Sequence, residues 1–433
     1  MSEPSSVIGL EENKHGSLYN QEKARFEINQ GRRVTWLRRG LMGLSLLMII
    51  LFIVSFALIA DLEGRVDDNN NNNNSAAGSN SLVLSTSPVR SNMVSELYRG
   101  SGQWAVKKSL PYLASDVATT DCGGKIYIVG GLEQSGTTVS NRVMEYDPIF
   151  ETYTNLTSLP NPRYRHGVAC ISGASAGDYK LFVVGGFNST ARGNSGQPEA
   201  DVFEYNSATQ IWQITSRLIV PRGDHAIAQM NSSIYVFGGY GLNYNMAMSG
   251  TSLEIMNTAA GRTWTAGPNM PTSRGDVKAA VLNGKIYVVG GWNDVTYGFQ
   301  NAVEAYNPQT NVWESLASLP VARGDCAVAA IAGRLVVVGG EIWSGTRRPC
   351  DWDPSTTCNV NEIPVHNVEQ YDPNTNYWTP LAPLPTARFR FDASAENGAL
   401  FVFGGHMIGN VDVGNVDALY LIDHPSIFVH KKS

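Results

Sequence analysis

Two kinds of apolar run organise the chain. The first is a single block, Leu41 to Ala60 (LMGLSLLMIILFIVSFALIA), twenty residues without a charge or a proline. At about 1.5 Å per residue such a helix spans about 30 Å, the hydrocarbon thickness of a bilayer, so the block predicts a transmembrane helix. A cleaved secretory signal carries an apolar region of only about 7–15 residues, and this block begins after forty residues with no convincing cleavage site. The second kind is short and recurs. It reads IYIVGG at Gly130-Gly131, LFVVGG at Gly185-Gly186, IYVFGG at Gly238-Gly239, IYVVGG at Gly290-Gly291, LVVVGG at Gly339-Gly340 and LFVFGG at Gly404-Gly405. Each predicts a strand buried on both faces, and spacings of 55, 53, 52, 49 and 65 residues leave room for four short strands per unit.

Two further marks keep step with the glycine pairs. A hydrophobic strand ends in Tyr146, Tyr205, Met256, Tyr306 or Tyr371, and seven or eight residues later comes Tyr153, Trp212, Trp264, Trp313 or Trp378. A proline step then opens the next unit, as at Pro160, Pro320 and Pro385. Glycine-glycine, tyrosine and tryptophan at these offsets closely resemble the kelch repeat over about three-quarters of the chain. The resemblance implies an all-β, six-bladed kelch-type β-propeller over residues 99–426. The sixth unit runs out near Asp423 without a Trp of its own. Trp104 to Pro111 (WAVKKSLP) repeats the spacing of Trp313 to Pro320 (WESLASLP), so the N-terminal segment is expected to supply the outer strand of the last blade.

The flanks set an expected topology. Arg32, Arg33, Arg38 and Arg39 precede the apolar block, whereas Asp61, Glu63, Asp67 and Asp68 follow it with Arg65 the only nearby cation. The positive-inside bias predicts a cytosolic tail (1–40), a signal-anchor (41–60) and an extracellular or lumenal remainder, a single-pass type II membrane protein. Residues 61–98, with six consecutive asparagines at Asn69–Asn74, read as a low-complexity stalk, and 427–433 as a C-terminal tail. Sequons at Asn155, Asn188 and Asn231 suit a glycoprotein domain on that side. A net charge of −6 and the lack of a basic tract argue against nucleic acid as a partner. Of five cysteines, Cys350 and Cys358 enclose a short polar loop and are expected to pair; Cys122, Cys170 and Cys326 fall on apolar inner strands and read as buried free thiols.

Candidate chemistry clusters where one unit passes into the next. Near the start of each innermost strand stand Arg163 with Arg165, Arg222 with Asp224, Arg274 with Asp276, Arg323 with Asp325, and Arg388 with Arg390; the first unit has Ala114 and Asp116. Seven arginines against four aspartates predict a positive channel mouth. The kelch resemblance implies a cradle for an anionic ligand here; a ring of structural salt bridges accounts equally for the repetition. Arg-Gly-Asp occurs at 222, 274 and 323, always at the same repeat position, so the architecture explains it without an adhesion receptor. Aromatics follow the glycine pairs at Phe187, Tyr240 and Trp292, with Trp343 slightly later, and the long turn Glu341 to Val365 carries Arg347, Arg348 and Trp352.

Kelch propellers include copper-radical oxidases and sugar mutarotases. His166 and His225 occupy equivalent positions in adjacent units, but no suitable Cys–Tyr pair accompanies them, so neither metal nor cofactor is expected. A mutarotase needs only one placed acid/base and an arginine, and Asp224, Asp276 and Asp325 all qualify. The expected function is therefore a membrane-anchored binding module recognising a glycan or protein through an Arg- and aromatic-rich face. A carbohydrate-active enzyme on the same scaffold is the alternative.

Overall fold

The computed structural model describes residues 102–421, apart from 135, 174, 176, 190–196, 344–346, 350–356, 360–361 and 410; for 244, 347–349 and 357–359 it describes the backbone alone. The expected anchor at 41–60, the stalk and the C-terminal tail lie outside these residues. Among the described residues no helix is long and apolar enough to cross a membrane.

Six four-stranded antiparallel sheets follow one another. Blade 1 consists of Ala118–Cys122, Lys125–Val129, Val143–Asp147 and Thr152–Asn155. Blade 2 runs through Gly167–Ser172, Tyr179–Val184, Asp201–Asn206 and Ile211–Arg217, and blade 3 through Ala226–Met230, Ser233–Phe237, Leu253–Asn257 and Trp264–Ala266. Blade 4 comprises Lys278–Leu282, Lys285–Val289, Val303–Asn307 and Val312–Ser315; blade 5 comprises Ala327–Ile331, Arg334–Val338, Val368–Asp372 and Tyr377–Pro380. Blade 6 takes Asp392–Glu396, Ala399–Phe403 and Val416–Tyr420 from the C-terminal end and its outer strand, Gln103–Lys107, from the other. Each first strand lies against the first strands of both neighbouring blades, and that of blade 6 touches that of blade 1, so the ring closes.

The second strands explain the unbroken apolar runs. In every blade their last four residues are buried, because neighbouring blades cover both faces of the sheet. Outer strands are mostly exposed, and one buried or half-buried aromatic anchors each. That aromatic also clasps the preceding blade. Trp212 Nε1 donates to the Thr157 carbonyl at 2.8 Å, Trp313 to Pro268 at 2.9 Å, Trp378 to Ala317 at 2.8 Å and Trp104 to Ala382 at 2.8 Å. Tyr153, which stands where a tryptophan is usual, donates its hydroxyl to the Lys108 carbonyl at 2.7 Å and closes blade 1 onto blade 6.

The glycine pairs form the other seam. Gly131, Gly186, Gly239, Gly291 and Gly340 donate their amides to the carbonyls of Arg163, Arg222, Arg274, Arg323 and Arg388 in the next blade, at 2.8–3.1 Å. Gly405 donates to Ala114 at 2.8 Å, completing the circle. The first glycine of each pair passes close to the same carbonyl. A Cβ on Gly238 would stand 2.4 Å from the Arg274 oxygen, and its φ of +62° already disfavours a side chain.

Candidate functional site

The eleven charged residues expected at the channel mouth separate into two sets. Arg163, Arg222, Arg274, Arg323 and Arg388 are fully buried within the blades and do not line the channel, which corrects the expectation that they form a ligand cradle. Each reaches toward the third strand of its own blade. Arg222 meets Glu254 at 2.5 Å, Arg274 meets Glu304 at 2.7 Å, Arg388 meets Asp417 at 2.7 Å, and Arg323 pairs with Glu369. Nη1 of Arg222 and of Arg274 also donates to the Gly238 and Gly290 carbonyls, both at 2.9 Å. Buried charge survives because each guanidinium is paired and hydrogen-bonded at once.

The acids stand two residues before Met256, Tyr306, Tyr371 and Leu419, and the corresponding positions in blades 2 and 1 hold Phe203 and Met144. There Arg163 stacks over Phe203 at 5.0 Å and reaches Glu199 at 3.6 Å, while blade 1 carries Ala114 and needs no acid. Blades 3 to 6 keep both the arginine and the acid and blade 1 lacks both, whereas blade 2 keeps the arginine and draws its carboxylate from Glu199 instead. That correlation was visible in the sequence and identifies this set as structural.

The second set forms a ring around the axis: Asp116, Arg165, Asp224, Asp276, Asp325 and Arg390, one from each blade. All six have φ between +47° and +55°. Left-handed backbone suits Asp better than most side chains and costs on the order of 1 kcal/mol or more. Backbone links hold the turn: Asp116 N donates to Arg390 O at 2.7 Å, Asp224 N to Arg165 O at 2.9 Å, and Arg390 N to Asp325 O at 3.1 Å. Four carboxylates face two guanidinium groups, so the predicted positive mouth is corrected to an acidic one. Lys278 also lines the cavity, but its ammonium lies 3.3 Å from Asp392.

Arg165 bridges two acids, with Nε on Asp116 at 2.9 Å and Nη1 on Asp224 at 2.6 Å, and Arg390 Nε reaches Asp325 at 3.2 Å. Asp276 accepts from the Tyr240 hydroxyl at 3.0 Å and has no ion-pair partner among the described residues. Loss of water around Asp224 pushes its carboxyl up to about 7 despite Arg165, with Asp325 and Asp116 adding repulsion. The same loss of water, with Asp325 and Asp224 alongside, raises Asp276 well above the usual carboxylate range. Carboxylate oxygens of Asp224, Asp276 and Asp325 lie within 4.8 Å of one another, a juxtaposition of three blades that sequence order does not reveal.

His166 and His225 line the same cavity from blades 2 and 3. They are only 4% and 5% exposed, and among the described residues none of their ring nitrogens has a hydrogen-bond partner. Burial, with Arg163 and Lys278 nearby, lowers His166 to about 3, and burial with Arg222 holds His225 far below its usual range. Both imidazoles are therefore neutral at pH 7. The cavity measures about 30 Å³, room for a few waters rather than for the roughly 300–1,000 Å³ occupied by small-molecule ligands.

Loops that follow the glycine pairs surround this neck. Bridges of Gly275 to Trp292, Gly324 to Glu341 and Phe389 to His406 put them on the same face as the ring. Phe187 and Tyr240 are buried in the wall, whereas Trp292 and Trp343 are half-buried and pack together across blades 4 and 5 at 5.8 Å. Farther out, Leu242, Met248, Val295, Tyr297 and Ile408 expose more than half of their surface. Asn155, Asn188 and Asn231 are all exposed.

The cysteines depart from expectation. Cys122 and Cys170 are joined by a disulfide between the first strands of blades 1 and 2, in place of two buried thiols; the strands lie side by side and bring the sulfurs together. Cys326 is free and buried. The Cys350–Cys358 pairing, with Arg347, Arg348 and Trp352, falls outside the described side chains.

Comparison with known proteins agrees with this geometry. Residues 173–405 match the KLHDC2/KLHL20/DRC7 Kelch-repeats domain, and residues 115–160 match the Kelch motif. The chain belongs to the Kelch-repeat family. This kelch propeller is similar to Kelch-like protein 26 of Danio rerio, 29% identical over 191 residues, which are 44% of this chain and 29% of the relative. It is also similar to beta-scruin of Limulus polyphemus, 28% identical over 227 residues, 52% of this chain and 23% of the relative. The match spans less than a third of either relative. The solved structure of YjhT superposes with a TM-score of 0.61 at 17% identity, covering 73% of this chain and 98% of that one, and shows the shared fold alone.

Proposed function

We propose that this kelch propeller is a membrane-anchored, extracellular or lumenal binding module whose ligand docks on the face formed by the loops after the glycine pairs. The observation that carries the reading is the apolar crown of Leu242, Met248, Val295, Tyr297 and Ile408, contributed by blades 3, 4 and 6 on one face. Exposed apolar side chains on loops of one face are surface that a bound partner can cover. A protein ligand suits them best, with its polar groups turned toward the acidic neck. The half-buried pair Trp292–Trp343 favours a second ligand class, a glycan stacked on the indoles.

Two features support placement outside the cytosol: the Cys122–Cys170 disulfide, which persists in oxidising compartments, and three exposed sequon asparagines. Turnover of a sugar in the channel is disfavoured by the 30 Å³ neck, which leaves the carboxylates out of reach of a pyranose ring.

The test uses the full chain against a library of displayed surface proteins and a glycan array. Val295→Asp with Tyr297→Asp is expected to weaken a protein ligand at least tenfold, and Trp343→Ala a glycan. Arg323→Ala should lower stability while leaving the affinity of the folded fraction unchanged. Binding that survives both face variants, or accelerated sugar-anomer exchange without binding, contradicts the reading.

A further inference from the structure

Blade 1 departs from its neighbours in one exposed turn. Between the third and fourth strands, blades 1, 2, 4 and 5 build the same backbone. Oδ1 of Asp147, Asn206, Asn307 or Asp372 accepts the amide two residues on, at 2.8–2.9 Å. The fifth residue of each turn, Glu151, Gln210, Asn311 or Asn376, has φ between +52° and +60°. The tip is Ala208-Thr209, Gln309-Thr310 or Asn374-Thr375 in blades 2, 4 and 5, but Ile149-Phe150 in blade 1. Residues without large apolar side chains make the same turn, so its geometry does not call for the pair. Packing among the described residues does not call for it either, because Ile149 and Phe150 are each 70% exposed.

That tip stands beside the place where the C-terminal strand ends. Glu151, the next residue, pairs with Lys107 at 3.0 Å, and the Lys107 ammonium lies 5.6 Å from the Tyr420 ring. Tyr420 also packs in one cluster with Tyr146 and Tyr153, the aromatics on either side of the turn. Tyr420 closes the strand Val416–Tyr420, and after Leu421 the sequence continues from Ile422 to Ser433 (IDHPSIFVHKKS). Its one uninterrupted apolar run is Ile427-Phe428-Val429. Ile427 comes six residues after Leu421, a reach of roughly 20 Å in extended chain.

Area decides the kind of occupant. Two side chains on one turn offer far less than the roughly 800 Å² that a free protein or a second copy of the chain covers on its partner. A segment tethered a few residues away needs much less contact, because its local concentration is on the order of millimolar. We infer that Ile427, Phe428 and Val429 dock on Ile149 and Phe150, so that the C-terminal segment straps blade 6 to blade 1. The strap crosses the joint between the last blade and the first, which Tyr153 already clasps at the Lys108 carbonyl. This inference is independent of which ligand occupies the loop face and of what anchors the chain.

The test places a benzophenone side chain at position 150 of the full chain, a change that keeps an aromatic ring at the tip. The purified protein is irradiated and digested, and the linked peptides are identified by mass spectrometry. A link within one chain, from position 150 to the peptide holding Ile427 to Val429, is expected. Phe428→Asp should lower its yield about fivefold or more, since the variant forfeits the burial of a phenylalanine. Asp423→Asn, in the same segment but outside the apolar run, should leave the yield unchanged. A link to residues before Gly102, a link between two chains, no link at all, or an unchanged yield in Phe428→Asp overturns the strap.

Discussion

Trp104 Nε1 donates a hydrogen bond to the carbonyl of Ala382 at 2.8 Å, across 278 residues of sequence. The strand that carries Trp104 pairs with Val416–Tyr420, so one contact joins both ends of the propeller to blade 5. The indole also packs on the cluster containing Val368, Leu381 and Leu419. Trp104→Ala should therefore cost about 3 kcal/mol, at the low end for a large aromatic because the ring is partly exposed. Denaturant unfolding measures this; a loss under about 0.5 kcal/mol would show that closure does not depend on the clasp.

Blade 1 predicts how to dismantle the buried ion pairs. Ala114 and Met144 occupy the places taken by Arg274 and Glu304 in blade 4. Glu304→Met alone leaves Arg274 buried without its carboxylate and should cost about 3–5 kcal/mol. Adding Arg274→Ala removes the orphaned charge and should recover most of that loss. The two midpoints, read in urea, check the non-additivity.

The Cys122–Cys170 bridge closes a loop with a sequence separation of 48. Chain-entropy arguments give it about 4 kcal/mol at most, and typical disulfides give about 2–4 kcal/mol. Cys122→Ser with Cys170→Ser should lower the unfolding free energy by that amount, and reductant should then have no further effect. In a secretory host, N-glycosidase should shift the mobility of the chain, and replacing Asn155, Asn188 and Asn231 together should abolish the shift.

Opposed titrations shape the pH profile. His166, lowered to about 3 in the fold, contributes stability that is complete above the unfolded value of 6.5 and is lost as pH falls toward 3. Asp224, raised to about 7, contributes in the opposite sense: its share is complete below about 4 and lost as pH rises through 7. His166→Gln should flatten the loss between pH 6.5 and 4, and Asp224→Asn should gain stability relative to the native chain between pH 5 and 8. Parallel profiles for all three proteins would contradict these assignments.

Much of the ring was legible in the sequence because its marks are local. Six apolar runs ending in Gly-Gly, with tyrosine and tryptophan in step, fix strand content, and the Trp104 segment repeats the outer-strand spacing of Trp313. The site was legible only in outline. Arg222 and Asp224 are two residues apart, yet one side chain enters the blade and the other the channel, because the chain turns through left-handed backbone at Asp224 (φ +52°) before the inner strand. The partners Glu254, Glu304, Glu369 and Asp417 lie about thirty to fifty residues downstream of their arginines, and only the blade-by-blade comparison with Phe203 and Met144 exposes the pairing. Cys122 and Cys170 required knowing that first strands of neighbouring blades lie side by side.

The claim that the loop face is the binding surface can be tested with a photo-crosslinking residue placed in the full chain on intact cells. Tyr297 lies on that face, and Phe150, equally prominent, lies in the turn between the third and fourth strands at the opposite end of blade 1. A discrete adduct formed from position 297, absent from position 150 and lost with Val295→Asp, is the predicted result. Adducts from position 150 but not from 297 would contradict it.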